Sequence, residues 1–204
     1  MKTYIKLFFL SLFCLMSSSA TAQNAVRAKQ ILDKTAALVG RSGGASASFS
    51  MTNGKYGKAS GFIAIKGNRF YASTGNVEVW FDGKTQWSYM KSTNEVNVSS
   101  PNEAQQLSMN PYKFLSIYRT GYFLSMKDVS GGYLVHLKAQ NPARSIQELY
   151  ITIGKNYYPR SIRMKEGKGW STIQISGFKP KNYANTFFQY NKKKHPSAEI
   201  VDLR

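Results

Sequence analysis

Two histidines, one cysteine and ten carboxylates are the side chains of this 204-residue chain best able to carry acid–base, nucleophilic or metal chemistry. His136 stands between Val135 and Leu137, so in a strand it points away from both. That reads as a solvent-facing or hydrogen-bonded histidine rather than a general base. His195 follows three lysines and precedes Pro196, which predicts an extended, exposed segment. Neither lies in a G-x-S-x-G elbow or a His-x-x-x-His zinc motif. Gly83-Lys84-Thr85 looks like the end of a phosphate-binding loop, but Glu78 stands where that loop requires its first glycine. The flanking Val79-Trp80-Phe81 and Gln86-Trp87-Ser88-Tyr89 make it a hairpin turn instead. Paired carboxylates for glycoside chemistry are invisible in a sequence, and ten acids supply few candidates. The expectation is a protein that is not an enzyme, with no catalytic residue, no metal and no cofactor.

The N-terminus sets the compartment. Lys2 and Lys6 precede the apolar run Leu7–Met16, and Ser17–Ala22 ends in Ala20-Thr21-Ala22, the pattern of a cleavable signal peptide. Ten apolar residues fall short of the about 20 that span a bilayer as a helix. Cleavage is expected after Ala22, leaving 23–204 as a single domain in the periplasm that begins at Gln23. Cys14 sits within the apolar run behind bulky Phe13, a poor lipid-attachment site, so the mature part would carry no cysteine. The formal charge is +18, two of the positive charges lying in the leader. Such a balance suggests nucleic acid first. Export and the scatter of the basic residues argue against it. Residues 155–204 hold eleven Lys or Arg against three acids, and only Lys192-Lys193-Lys194 forms a run. That run reads as a solvated face, or as a patch steering the protein to an acidic partner or anionic leaflet.

The elements that must position any site follow from periodicity. Ala28, Ile31, Leu32, Thr35 and Val39 fall on one face of a helix over 25–39, with Asn24 able to cap it and Gly40 to stop it. From Ala45 to Val98, alternating apolar runs are cut by Asn53-Gly54, Gly67-Asn68, Gly75-Asn76 and Asp82-Gly83, an antiparallel meander. Ser100-Pro101-Asn102-Glu103 predicts a short helix to Leu107 capped by Ser100, and Pro111, Phe114, Leu115 and Tyr118 stripe a second one. Strand rhythm then returns, from Tyr122-Leu124-Met126 to Ile173-Ile175. The expected fold is mainly β (α+β). Roughly ten strands form a curled antiparallel sheet, closed to a barrel or half-closed, with a leading helix and two short mid-chain helices. Common parity places Phe49, Met51, Ile63, Ile65, Phe70, Val79 and Phe81 inward. A packed interior and a ligand cavity fit this pattern equally well.

The stretch Val79-Trp80-Phe81-Asp82-Gly83-Lys84-Thr85-Gln86-Trp87-Ser88-Tyr89 resembles the LolA family of periplasmic carriers for outer-membrane lipoproteins. Leu32-Asp33-Lys34, Ala47-Ser48-Phe49, Gly61–Lys66, Asn110–Leu115, Phe188-Gln189-Tyr190 and Val201–Arg204 follow in the family's order, so the likeness spans nearly the whole mature chain. It implies an incomplete barrel whose concave face shelters acyl chains. The partners implied are acylated lipoproteins or lipid, an inner-membrane donor complex and an outer-membrane acceptor, with the carrier a monomer and no nucleic acid. Candidate ligand-binding residues are the seven inward ones above together with Trp87, Tyr89, Leu115 and Tyr118. In many members an arginine after the second-strand lysine holds a helical lid; here Gly67 follows Lys66, and Arg69 is the nearby substitute. Three functions compete: a carrier needs an apolar cavity, an envelope hydrolase a polar constellation at its mouth, and a structural binding domain a filled interior.

Overall fold

The computed structural model describes residues 22–53, 57–102, 105–106 and 116–204. A helix, α1 (22–39), is followed by β1 (Ala45–Asn53), β2 (Gly57–Lys66), β3 (Arg69–Thr74), β4 (Val77–Phe81), β5 (Gln86–Met90) and β6 (Glu95–Ser99). The chain continues through β7 (Tyr122–Val129), β8 (Gly132–Ala139), β9 (Ile146–Gly154), β10 (Pro159–Glu166), β11 (Gly169–Pro180) and β12 (Glu199–Asp202). All twelve strands form one sheet in the order β12-β6-β5-β4-β3-β2-β1-β11-β10-β9-β8-β7. The sheet curls without closing, as the sequence leads one to expect for so many strands. It holds two more strands than the rough sequence estimate. The clearest omission is β12, a four-residue strand paired in parallel with β6, too short to show a period of its own.

Two meanders, β1–β6 and β7–β11, meet where β1 pairs with β11 in the middle of the sheet. Between Ser46 and Ser48 this pairing slips by one residue, and Gly177 lies within the slip at φ +59°. Glycine takes that backbone without strain. Such a bulge sharpens the twist and re-aims the side chains that follow. Phe178 is thereby turned to the concave side, where it packs on Tyr158 at 4.6 Å between ring centroids.

The stripe read from the sequence lays α1 along the concave face. Ala28, Ile31 and Leu32 join Val135, Leu137, Leu149, Ile151 and Ile153 in the larger core, while Val39 joins Ile65, Phe70 and Phe81. Each such aliphatic side chain contributes about 1.5–3 kcal/mol on burial. Residue 22 is already helical, so Asn24 lies inside the helix and does not cap it. The mid-chain cap also differs from the reading. Asn102 Oδ1 accepts from Gln105 N at 3.0 Å, and Gln105 Oε1 accepts from Asn102 N at 2.9 Å. This reciprocal pair is a capping box two residues beyond Ser100. Of the second expected helix, Pro111, Phe114 and Leu115 lie outside the described residues, and Tyr118 belongs to a 3-10 turn, Ile117–Arg119.

The outer face of β2–β6 is covered by the C-terminal segment. Tyr183 and Phe188 bury against Ala64, Phe62 and Tyr71, and the chain then runs to β12 beside β6. Aliphatic and aromatic side chains are thus buried on both faces of this half of the sheet.

Candidate functional site

On the concave face, at the seam between the two meanders, lies a cavity of about 330 Å³. Its size is that of a small-molecule site. β1 contributes Phe49 and Met51, β2 Ile63 and Ile65, β11 Ile173 and Ile175, with Ile162, Phe178 and Val39 closing the sides. Space exists because the strands carry small residues between the large ones: Ala45, Ala47, Ala59 and Ala72 also line the wall. The register explains the grouping, since Phe49 faces Ile175 and Met51 faces Ile173 across β1–β11. Ser46 and Thr74 are the polar residues of the lining, and the buried Ser46 hydroxyl has no hydrogen-bond partner. Among the described residues no group of His, Cys, Asp and Glu could hold a metal ion. The wall can therefore exclude water and hold hydrocarbon.

The eleven residues singled out from the sequence divide into four groups. Phe49, Met51, Ile63 and Ile65 line the cavity. Phe70, Val79 and Phe81 face the same side but belong to the neighbouring cluster under Val39, where the Phe70 and Phe81 rings lie 5.6 Å apart. Trp87 and Tyr89 point the other way: they pair with Trp80 and Glu78 on β4, whose side chains occupy the outer face. Leu115 lies outside the described residues, and Tyr118 is buried beside α1 with its hydroxyl donating to Asp33. Sequence reasoning did not pick out Ile162, Ile173, Ile175 and Phe178. The three isoleucines share the alternation that marked Phe49 and Met51, whereas Phe178 is exposed to the cavity by the bulge, which no period announces.

The aromatic outer face is where the titratable groups gather. Glu78, buried, accepts a hydrogen bond from the Tyr71 hydroxyl at 2.6 Å and pairs with Lys194 and, at 3.4 Å, with His195 Nε2. Burial pushes its carboxyl up, but the hydrogen bonds from Lys194 and Tyr71 and the nearby charges outweigh this and hold it below the ordinary glutamate value. Lys194 in turn sits over the Trp80 ring at 4.9 Å. The His195 ring stacks on Tyr89 at 3.7 Å, so His195 is half-buried rather than exposed as its sequence context suggested. The proline and the lysines around it are exposed; the imidazole is drawn in by the carboxylate and the aromatic surface. The lysine run is accordingly not one solvated face: Lys192 and Lys193 are free of Glu78, while Lys194 is an anchor. His136 has the hydrogen bond foreseen for it, to Glu148 at 3.1 Å.

Arg69 lies on the outer face of the sheet, away from the cavity. It lies opposite Lys66 across the β2–β3 hairpin, and Lys66 Nζ donates to the Tyr183 carbonyl on the outer face at 2.6 Å. The side chain of residue 69 shares that face. Asp82-Gly83-Lys84-Thr85 is the hairpin turn expected, with Asp82 Oδ1 accepting from the amides of Lys84 and Thr85 at 2.9 and 2.8 Å.

Among solved structures, the chain is similar to an uncharacterised conserved protein of Thermus thermophilus at 15% identity and a TM-score of 0.58, covering 86% of this chain and 99% of that one. A LolA superfamily protein of Nitrosomonas europaea is similar at 10% identity and a TM-score of 0.44, with 80% and 97% covered. The first of these likenesses concerns the fold alone. No curated protein matches the chain by sequence. The sequence model of the family described as outer membrane lipoprotein carrier protein LolA matches residues 18–168, from before α1 to the β10–β11 turn. With most of its length matched and a half-closed sheet around an apolar cavity, the chain belongs to the LolA family of outer membrane lipoprotein carrier proteins.

Proposed function

We propose that this protein is a periplasmic carrier that shelters the acyl chains of lipoproteins in the seam cavity and delivers them to the outer membrane. The observation that carries the reading is a cavity wall of isoleucine, phenylalanine, methionine and alanine, with no charged side chain and no metal-ligating cluster among the described residues. Each acyl methylene moved from water into it stabilises the complex by about 0.8 kcal/mol. Phe49, Met51, Ile63 and Ile65 would contact the chains directly, and Phe70, Val79 and Phe81 would back them. Cargo would be taken from an inner-membrane donor complex and released to an outer-membrane acceptor offering a better-matched apolar site. The carrier would act as a monomer, exported by the N-terminal signal and cleaved after Ala22. Among the described residues no helix is long and apolar enough to cross a membrane.

A second reading is favoured by Gly67 and by the outward position of Arg69: with no arginine at the family's lid position, the cargo could be a different lipid or apolar ligand. Mass spectrometry of an organic extract of the protein purified from its own host separates the two. Acyl chains linked to a lipoprotein N-terminus support the first, free lipid the second. An empty protein that also fails to bind a fluorescent fatty acid removes both.

A further inference from the structure

The half of the outer sheet face that the C-terminal segment leaves uncovered has its own chemistry. Register places three rows side by side across β7–β11. One runs Phe123, Lys138, Glu148, Lys165, Trp170; the next Ser125, His136, Tyr150, Arg163, Thr172; the third begins Lys127, Leu134. Lys127, Lys138, Arg163 and Lys165 thus share a face with one carboxylate, Glu148, which is bonded to His136 and flanked in register by Lys138 and Lys165. Lys127, Lys138 and Arg163 are exposed, and Phe123 is 64% exposed at the end of its row.

The rings of this face are stacked on one another. His136 and Tyr150 lie 4.3 Å apart and 4° from parallel, Trp170 is 6.0 Å from Tyr150, and the Arg163 guanidinium lies 4.1 Å from the centre of Trp170. Ring faces occupied in this way are poorly placed to stack a sugar or a base. What is left outward is ring edges, cations and the exposed Phe123, with Leu134 half-buried beside Lys127. Aromatic residues with polar tips among lysines and arginines match the interfacial zone of a bilayer, and the cations match an anionic headgroup layer. We propose that the outer face of β7–β11 docks the protein on an anionic phospholipid surface, with Phe123 and Trp170 at the interface and Lys127, Lys138, Arg163 and Lys165 against the phosphates. The cavity lies on the other side of the sheet, so docking does not depend on what the cavity holds.

Flotation with phosphatidylcholine vesicles, with and without phosphatidylglycerol, tests this on the mature chain. Binding is expected to the anionic vesicles alone, to weaken as salt rises, and to fall at least tenfold in the Lys138→Gln/Arg163→Gln/Lys165→Gln variant. Lys138→Gln/Lys165→Gln preserves the Arg163–Trp170 stack and should show an intermediate loss, which guards against an effect of misfolding. Lys192→Gln/Lys193→Gln should bind as the parent does. Equal binding to both vesicle types, an equal or larger loss in the Lys192/Lys193 variant, or retention by an anionic polysaccharide without vesicle binding would each overturn the proposal.

Discussion

The side-chain amide of Asn24 pairs with both backbone groups of Met126: its Nδ2 donates to the Met126 carbonyl at 2.9 Å, and its Oδ1 accepts from the Met126 amide at 2.7 Å. A carboxamide on α1 therefore occupies the place that a neighbouring strand's peptide would take on the open edge of β7. Arg27 adds a bidentate pair to Asp128 one turn on, both contacts at 2.9 Å. Edge strands left bare pair with other chains, and this is one way to blunt them. Asn24→Ala should lower stability by about 1–2 kcal/mol, the worth of two partly buried hydrogen bonds. It should also accelerate hydrogen exchange at the Met126 amide and introduce concentration-dependent association. An exchange rate at Met126 equal to that of the parent would show that the clamp does not hold in solution.

The division of the aromatic and aliphatic residues between two faces makes a paired test of the cavity. Met51→Asp places a charge in the apolar wall and should abolish binding of a fluorescent fatty acid, because an unpaired charge in such a wall costs several kcal/mol. Trp87→Ala, on the outer face, should leave that binding unchanged even if stability falls. A reversed outcome in the same displacement assay would mean that the ligand sits on the outer face.

Glu78 makes the fold's C-terminal covering dependent on acid. Its carboxyl is held below the ordinary value near 4.5, so its contribution is complete above that pH and is lost as the pH falls through the lower folded value. Glu78→Gln should cost about 2 kcal/mol at neutral pH, the scale of charged hydrogen bonds. The gap between parent and variant in urea unfolding should narrow on acidification. A gap of constant size from neutral to acid pH would place the loss elsewhere.

Tyr118 gives the opposite sign at the alkaline end. Burial, with the hydrogen bond to Asp33, pushes its hydroxyl up to about 12, so its stabilisation is complete below about pH 10 and is lost as the pH climbs toward the folded value. Tyr118→Phe should be less stable by about 1 kcal/mol at neutral pH and should lose less stability than the parent between those two values. Ultraviolet titration of the tyrosines, showing one late-titrating group fewer in the variant than in the parent, where burial also pushes Tyr71, Tyr122 and Tyr190 up, is the direct check.

Local pattern carried the strands well, because alternation over five or more residues fixes which side of a sheet a residue takes. Phe49 and Met51 on β1 and Ile63 and Ile65 on β2 were legible for that reason, and they are the cavity wall. Trp87 and Tyr89 obey the same alternation but serve the other face. Their strand alternates with Gln86 and Ser88, which turn inward and hydrogen-bond to each other at 3.0 Å. An aromatic parity predicts burial, and here the burying surface is the C-terminal segment about a hundred residues away, invisible to any local window. The same distance hid the roles of His195 and Lys194 and the clamp of Asn24. The helix cap moved from Ser100 to Asn102 because Gln105 answers Asn102 just as well as Glu103 would have answered Ser100.

The seam at the centre of the sheet orders events in time. Residues 45–53 leave the ribosome well before residues 169–180, with which they pair, and the cavity has walls from both. A chain still emerging can fold its first meander but has no container: until β11 arrives, Phe49 and Met51 lie on an open edge. Only a finished molecule has the complete cavity, and a truncated or stalled product lacks one of its walls. The closing step is also a long-range one, which makes the pairing of β1 with β11 the natural slow step of folding. The protein acquires its binding site and its completed sheet in the same act.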